Sequence, residues 1–214
     1  MKIEIWSDFV CPFCYIGKRR LEKALENLSF HTEIVIDYKS FELDPEAPMN
    51  TGLTIEEKLA YKYGKSIEEA KKMTENMSQQ AMESGLDFQL SNMIPTNTFK
   101  AHMVAKLAEK RGLKHEITEK LFQSVFTHGK DIGDDKTLLG IAGEVGLDIR
   151  EVQEALTKNT YAEAVRQEES EAFEIGVQGV PFFVINRKYA ISGAQPPEMF
   201  EKSMKKVIEE EHPS

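Results

Sequence analysis

Cysteine is almost missing from this chain of 214 residues: Cys11 and Cys14 are the only two. A structural zinc site takes four ligands. One here would have to draw the remainder from His31, His102, His115, His128 or carboxylates, and none of these stands in a paired zinc spacing. Long apolar runs are also missing. Glu4 and Asp8 interrupt "MKIEIWSDFV", so no signal-peptide core is expected there, and no later run is long enough to span a bilayer. The expectation is a cytoplasmic chain whose thiols are held reduced. Basic residues are in deficit, 27 Lys and Arg against 36 Asp and Glu, for a formal net charge of -9. No field is present to attract phosphate backbones or anionic lipid, so neither nucleic acid nor membrane is expected as a partner.

What remains is an ordinary globular composition, 41% hydrophobic and 29% charged, enough for one core with a companion subdomain. "KIEIW" (residues 2–6) alternates as a strand. After Cys14 the spacing turns helical, with Ile16, Leu21, Ala24, Leu25 and Leu28 as the apolar stripe and Lys18, Arg19 and Arg20 read as a solvated face. "EIVIDYKSF" (33–41) returns to strand character, which makes a βαβ unit with parallel strands. A linker at 42–52 leads into a region read as almost wholly helical as far as Gly176. Starts are marked there by Thr54 with Glu57, Ser66 with Glu69 and Asp148 with Glu151, and stops by Gly85, Gly112, Gly129, Gly146 and Gly176. "GVPFFVINRKYAISG" (179–193) reads as a β-hairpin turning at Asn186–Lys188. A last helix starts at Pro196 and Pro197, with Met199, Phe200, Met204, Val207 and Ile208 as its stripe. The order is β-α-β, a helical block, then β-β-α.

If Cys11 ends the strand-to-helix turn, it caps the helix and Pro12 takes the first helical position, where its missing N–H costs nothing. The free N–H groups and the positive end of the helix dipole then favour a thiolate at an exposed Cys11. Cys14 lies one turn along, more buried and close in space. A disulfide between them could form and break by thiol exchange, with Cys11 attacking and Cys14 resolving. The spacing alone leaves other readings open: two inert core cysteines, or a zinc-clipped, non-catalytic binding module. A C-x-x-C beside a βαβ pattern favours redox exchange. Val180-Pro181 opens the later strand, where a proline cannot donate to the ladder.

"SDFVCPFCYIG" (7–17), "GVPFFVI" (179–185) and "SGAQP" (192–196), with a helical insert between, resemble the DsbA-like thioredoxin-fold oxidoreductases, and within them the FrnE-like branch. The resemblance covers essentially the whole chain. It implies an α/β thioredoxin-like domain built from residues 1–44 and 177–214, with an all-helical subdomain inserted at 45–176. It implies Cys11 as attacking thiol, Cys14 as resolving thiol, and Pro12, Phe13, Val180 and Pro181 as the substrate-binding residues around them. A cis Val180–Pro181 bond would set Pro181 beside Cys11 and leave the Val180 backbone free to pair with an extended substrate. The implied substrates are peptide or small-molecule thiols and disulfides. No permanently bound cofactor is implied, and glutathione is a candidate redox partner or co-substrate. Periplasmic DsbA proteins carry histidine where Phe13 stands, which argues against a strong oxidant. Related glutathione-using enzymes, the 2-hydroxychromene-2-carboxylate isomerases and kappa-class glutathione transferases, typically carry serine where Cys11 stands. A glutathione-dependent isomerase or transferase is therefore the alternative. "NMIPTNTFKAH" (92–102) resembles the insert of both branches. Within it Asn97 and His102 are candidates for substrate contact, although His102 reads better as a satisfied, half-buried histidine. The Met-rich "KKMTENMSQQAM" (71–82) reads as helical core packing.

Overall fold

The computed structural model describes residues 1–28 and 33–211. His31, one of the residues weighed as a zinc ligand, lies outside them. Strand β1 (Lys2–Ser7) is followed by helix α1 (Pro12–Asn27) and strand β2 (Val35–Ser40). Seven helices come next: α2 (Ile55–Tyr63), α3 (Ile67–Glu83), α4 (Phe99–Lys110), α5 (Lys114–Phe126), α6 (Asp135–Glu144), α7 (Ile149–Lys158) and α8 (Ala162–Glu174). Strands β3 (Phe182–Ile185) and β4 (Tyr189–Ser192) and helix α9 (Pro197–Glu211) complete the order. The four strands form one mixed sheet in the order β2-β1-β3-β4. β1 pairs parallel with β2, as a βαβ unit requires, and antiparallel with β3. This is the α/β architecture with a large helical insert that the resemblance implies. Among the described residues, no helix is long and apolar enough to cross a membrane.

The two faces of the sheet serve different partners, because alternate strand residues point to opposite sides. Ile3 and Ile5 of β1 pair with Ile185 and Phe183 of β3. They join Leu21 and Ala24 of α1 and Phe200, Met204 and Val207 of α9 in one buried cluster. The Phe183 and Phe200 rings meet edge to face, 4.8 Å between centroids, worth about 0.5–1.5 kcal/mol beyond their burial. Trp6 and Val184 face the other way and pack with Ala172 of α8 and Val177. The Trp6 indole N–H donates to the Glu168 carbonyl at 2.9 Å. Charged groups finish that seam: Glu168 accepts from the Ser40 N–H and from Lys106, while Arg187 pairs with buried Glu4.

Local chemistry explains most helix ends. Thr54 with Glu57 and Ser66 with Glu69 form complete capping boxes, and Asp148 accepts from the N–H groups of Arg150 and Glu151. The β3–β4 turn holds Asn186 and Arg187 at positive φ, 46° and 56°, the geometry of a tight hairpin. Three expectations need correcting. Residues 85–98 are not α-helical and contain only a short 3-10 turn at Leu90–Asn92, consistent with the break that Pro95 and its polar neighbours impose. Met199 is 46% exposed rather than in the α9 stripe; one residue ahead of Phe200, it is rotated by about 100° towards solvent. Lys18 is not solvated but buried, paired with Glu22 of its own helix and with Glu119 of α5.

Candidate active site

β1 delivers the chain into a short loop, and Cys11 ends that loop as the N-cap of α1 in an extended conformation (φ -93°, ψ 111°), with Pro12 at the first helical position. The Cys14 N–H donates to the Cys11 carbonyl at 3.0 Å. Both cysteines are free thiols. Both are also buried, Cys11 5% and Cys14 3% exposed, which corrects the expectation of an exposed Cys11. The reason is the insert: its helices close over the loop, so Cys11 opens into a cleft instead of onto the surface. Cys11 Sγ donates to the Val180 carbonyl at 3.5 Å. The Val180–Pro181 bond is cis. An added Cβ on Gly17 would lie 3.1 Å from both Pro181 Cγ and Phe183 Cζ. This glycine therefore lets α1 pack closely on the Pro181 loop.

The cleft has a cavity volume of about 150 Å³ and is open to solvent. Cys11, Pro12 and Phe13 form its floor together with Val10 and Asp8. One wall comes from α2, with Ile55, Leu59 and Tyr63 apolar and Lys58 and Lys62 basic. Another comes from Met77 of α3 and from Leu90, Met93 and Pro95 in the non-helical stretch. Most of this wall was missed in the sequence, where the insert offered helical stripes but no sign of which face meets Cys11. Of the Met-rich segment, Met77 packs against the core and lines the cleft, while Met82 is 64% exposed.

Cys14 sits below, out of the cleft, with the Asp8 N–H 3.5 Å from its sulfur. Burial pushes its thiol well up. The hydrogen bond and charge of Cys11 push the same way, while contacts from Asp8 and Ser7 partly offset them. Asp8 is a hub that sequence reading did not single out. Its carbonyl accepts from the Cys11 N–H at 3.1 Å, and its carboxylate accepts from the Leu43 N–H at 2.8 Å and faces His102 Nε2 at 3.5 Å. The signal was its place in the quoted motif, three residues before Cys11.

His102 is 2% exposed. Its ring lies on Phe9, 4.8 Å between centroids, and it lines a small cavity separate from the cleft. Asn97 donates to the Pro45 carbonyl and to Glu42, and its side-chain oxygen accepts from the Phe99 N–H, so it ties loops together at the start of α4. Lys18, Arg19 and Arg20 are all engaged: Lys18 with Glu22 and Glu119, Arg19 with Glu22 and Glu119, and Arg20 with the Ala194 carbonyl. Among the described residues, no three or more His, Cys, Asp or Glu side chains converge where a metal ion could be held.

Comparison with known proteins agrees with this fold. The model of the family described as DSBA-like thioredoxin domain matches residues 2–205. A solved structure described as a probable DsbA oxidoreductase from Streptomyces coelicolor is similar over 100% of this chain and 92% of its own, at 36% identity and a TM-score of 0.93. A 2-hydroxychromene-2-carboxylate isomerase shares the fold at 16% identity and a TM-score of 0.74, over 99% of this chain and 98% of its own. The cytosolic disulfide reductase DsbM from Pseudomonas aeruginosa, solved with glutathione, does so at 14% identity and a TM-score of 0.66, over 97% and 99%.

Proposed function

The chain belongs to the DSBA-like thioredoxin domain family, and from that premise we propose that it is a thiol–disulfide oxidoreductase working through Cys11 and Cys14. The observation that carries this reading is the division of labour between the two sulfurs. Cys11 opens into a cleft able to hold a small molecule or a peptide side chain, while Cys14, one turn away, is shut off from it. In the reducing direction, the Cys11 thiolate bonds to one sulfur of a substrate disulfide and the other sulfur leaves as a thiolate. Cys14 then loses its proton and bonds to Cys11 Sγ, and the second substrate sulfur leaves. Two electrons pass from the dithiol to the substrate. The oxidising direction is the same sequence reversed.

Val180 and Pro181, joined to Cys11 by the Sγ–carbonyl contact, would hold the substrate backbone beside the sulfur, with Pro12 and Phe13 beneath it. The insert, residues 45–176, would set substrate choice. Glutathione is the proposed redox partner, supported by the fold shared with a disulfide reductase solved with it. A FrnE-like assignment and a cytoplasmic setting belong to the same proposal. The test is trapping. Cys14→Ser should accumulate a mixed disulfide with glutathione disulfide or a model peptide disulfide through Cys11, detected by intact-mass measurement, and Cys11→Ser should trap none. Turnover that survives loss of Cys14 would move the assignment to a glutathione-dependent isomerase or transferase. Turnover unaffected by either change would refute the oxidoreductase.

A further inference from the structure

Helix α2 turns one face to the dithiol. Ile55, Lys58, Leu59, Lys62 and Tyr63, at spacings of three and four, all line the cleft that Cys11 floors. Ile55, Leu59 and Tyr63 make an apolar column, with Lys58 and Lys62 as a basic column beside it. The acidic residues of the helix are placed elsewhere: Glu57 folds back to cap Thr54, and Glu56 lines a separate groove. Lys58 pairs at 3.6 Å with Asp44, which also lines the cleft. Lys62 is exposed and, among the described residues, pairs with no carboxylate; its ammonium lies 5.9 Å from the centre of the Tyr63 ring. The other carboxylate of the lining, Asp8, is 1% exposed and turned to the Leu43 N–H and His102. An unmatched cation therefore stands beside an apolar recess, in a chain whose net charge is -9. With Met77, Leu90, Met93 and Phe13, the apolar column bounds a cavity of about 150 Å³, the room that one benzene-sized group occupies.

We propose that this cleft selects small disulfides in which the half bonded to Cys11 carries one apolar group, a ring or a branched chain, together with a carboxylate. The apolar group fills the recess beside Ile55 and Leu59, and Lys62 is the specificity-determining residue that receives the carboxylate. The inference rests on the oxidoreductase reading and names its substrate class. Burying the group removes its apolar surface from water, and an ammonium flanked by low-dielectric walls attracts an anion more strongly than one in open solvent. The covalent step balances as before. The Cys11 thiolate bonds to the sulfur of the selected half, the substrate sulfur–sulfur bond breaks, and the other half leaves as a thiolate with the electron pair. A small substrate fits better than a folded protein, because Cys11 is only 5% exposed and the recess admits a single side group. Glutathione brings carboxylates but no apolar side chain, so the same site tells the substrate from that redox partner.

The test mixes the reduced protein with two chromogenic disulfides in stopped flow. Dithiobis-nitrobenzoate has a ring and a carboxylate in each half, whereas dithiodipyridine has a ring and no charge near neutral pH. Each rate is divided by that of mercaptoethanol under the same conditions, which cancels the intrinsic reactivity of the probe. Lys62→Gln should lower the ratio of the first rate to the second by about two- to fivefold. Lys62→Glu should lower it further, and high salt should shrink both effects. Lys65, just past α2 and outside the cleft lining, is the control: Lys65→Gln removes the same charge and should leave the ratio where it was. Dithiodipropionate, a carboxylate without a ring, is followed by intact mass. Its normalised rate should fall roughly tenfold or more below that of dithiobis-nitrobenzoate. An unchanged ratio in both Lys62 variants, an equal shift in Lys65→Gln, or equal normalised rates for the two anionic disulfides would each overturn this substrate class and leave the oxidoreductase standing. A parent protein that reacts with none of the three would bring down the oxidoreductase and this inference together.

Discussion

At the scale of single residues, the charge cluster around Glu119 ties α1 to the insert electrostatically. Its carboxylate accepts from the Tyr15 hydroxyl at 2.5 Å and from Lys18 at 2.5 Å, and it pairs with Arg19. Burial alone would raise the Glu119 pKa, but the hydrogen bonds from Lys18 and Tyr15 and the charges of Lys18 and Arg19 outweigh it and lower it. A carboxyl held low in the folded state contributes stability above its unfolded value, near 4.5. That contribution is lost as pH falls through the lower, folded value. Glu119→Gln should therefore cost about 1–3 kcal/mol at neutral pH, because it strips a charged partner from a lysine whose side chain is only 6% exposed. Urea unfolding of the two proteins should converge as pH falls through that lower, folded value, where the native carboxyl also becomes neutral. A gap of constant size across that range would show that the loss is not electrostatic. None of this was legible locally. Lys18 sits in a run of three basic residues that reads as a wet surface, and its partner is 101 positions away in sequence. His102 was only half legible: burial could be guessed from the apolar residues around it, but the facing carboxylate of Asp8 could not.

At the scale of elements, the first turn of α1 has to meet the Pro181 loop closely enough for Cys11 to touch Val180. Gly17 makes that approach possible. Gly17→Ala should destabilise the protein by about 1–3 kcal/mol and slow the reaction of Cys11, because both atoms it would press on belong to packed residues. Gly140, exposed in α6 with nothing within 4 Å of an added Cβ, is the matched control. Gly140→Ala should be neutral or stabilise by about 0.5–1 kcal/mol. Thermal melts of the pair decide the matter, and an equal response would mean that the close contact is not what constrains position 17. Elements were the most legible level. Capping boxes, hairpin residues and the switch from twofold to helical spacing are written in neighbours a few positions apart, and those are the interactions a sequence displays. The 85–98 stretch failed for the complementary reason. Met93 and Leu90 are buried by distant helices, so their apolar character reflects the cleft and the core rather than a helical stripe.

At the scale of the whole molecule, the dithiol belongs to two structures at once. α1 is part of the sheet unit, yet Cys11 and Cys14 share a continuous core with Met103, Leu107 and Phe122 of the insert. Tyr15 is stacked on Phe88 and Phe122 in the same core. Leu59 on α2 lines the cleft without joining that core, so the part of the wall it forms is free to vary without altering the turn that presents the sulfur. Leu59→Trp, on α2, should raise KM for a bulky aromatic disulfide several-fold, while alkylation of Cys11 by iodoacetamide changes by less than about twofold. If alkylation falls in parallel, the wall and the sulfur are not separable in this way. That arrangement explains the limit of sequence reading here. The motif marks the dithiol, but the cleft around it is lined by side chains from several segments whose meeting is decided only by tertiary packing.

Trp6 has an experimental use that follows from where it sits. It is the only tryptophan in the chain and is fully buried, with its indole bonded to α8 and the Arg187 guanidinium 5.9 Å from the ring centre. Its emission is thus a private optical channel, tuned to the back of the sheet and largely blind to the cleft. Unfolding followed by that light, and dithiol chemistry followed by absorbance, can be recorded in one cuvette with little cross-talk.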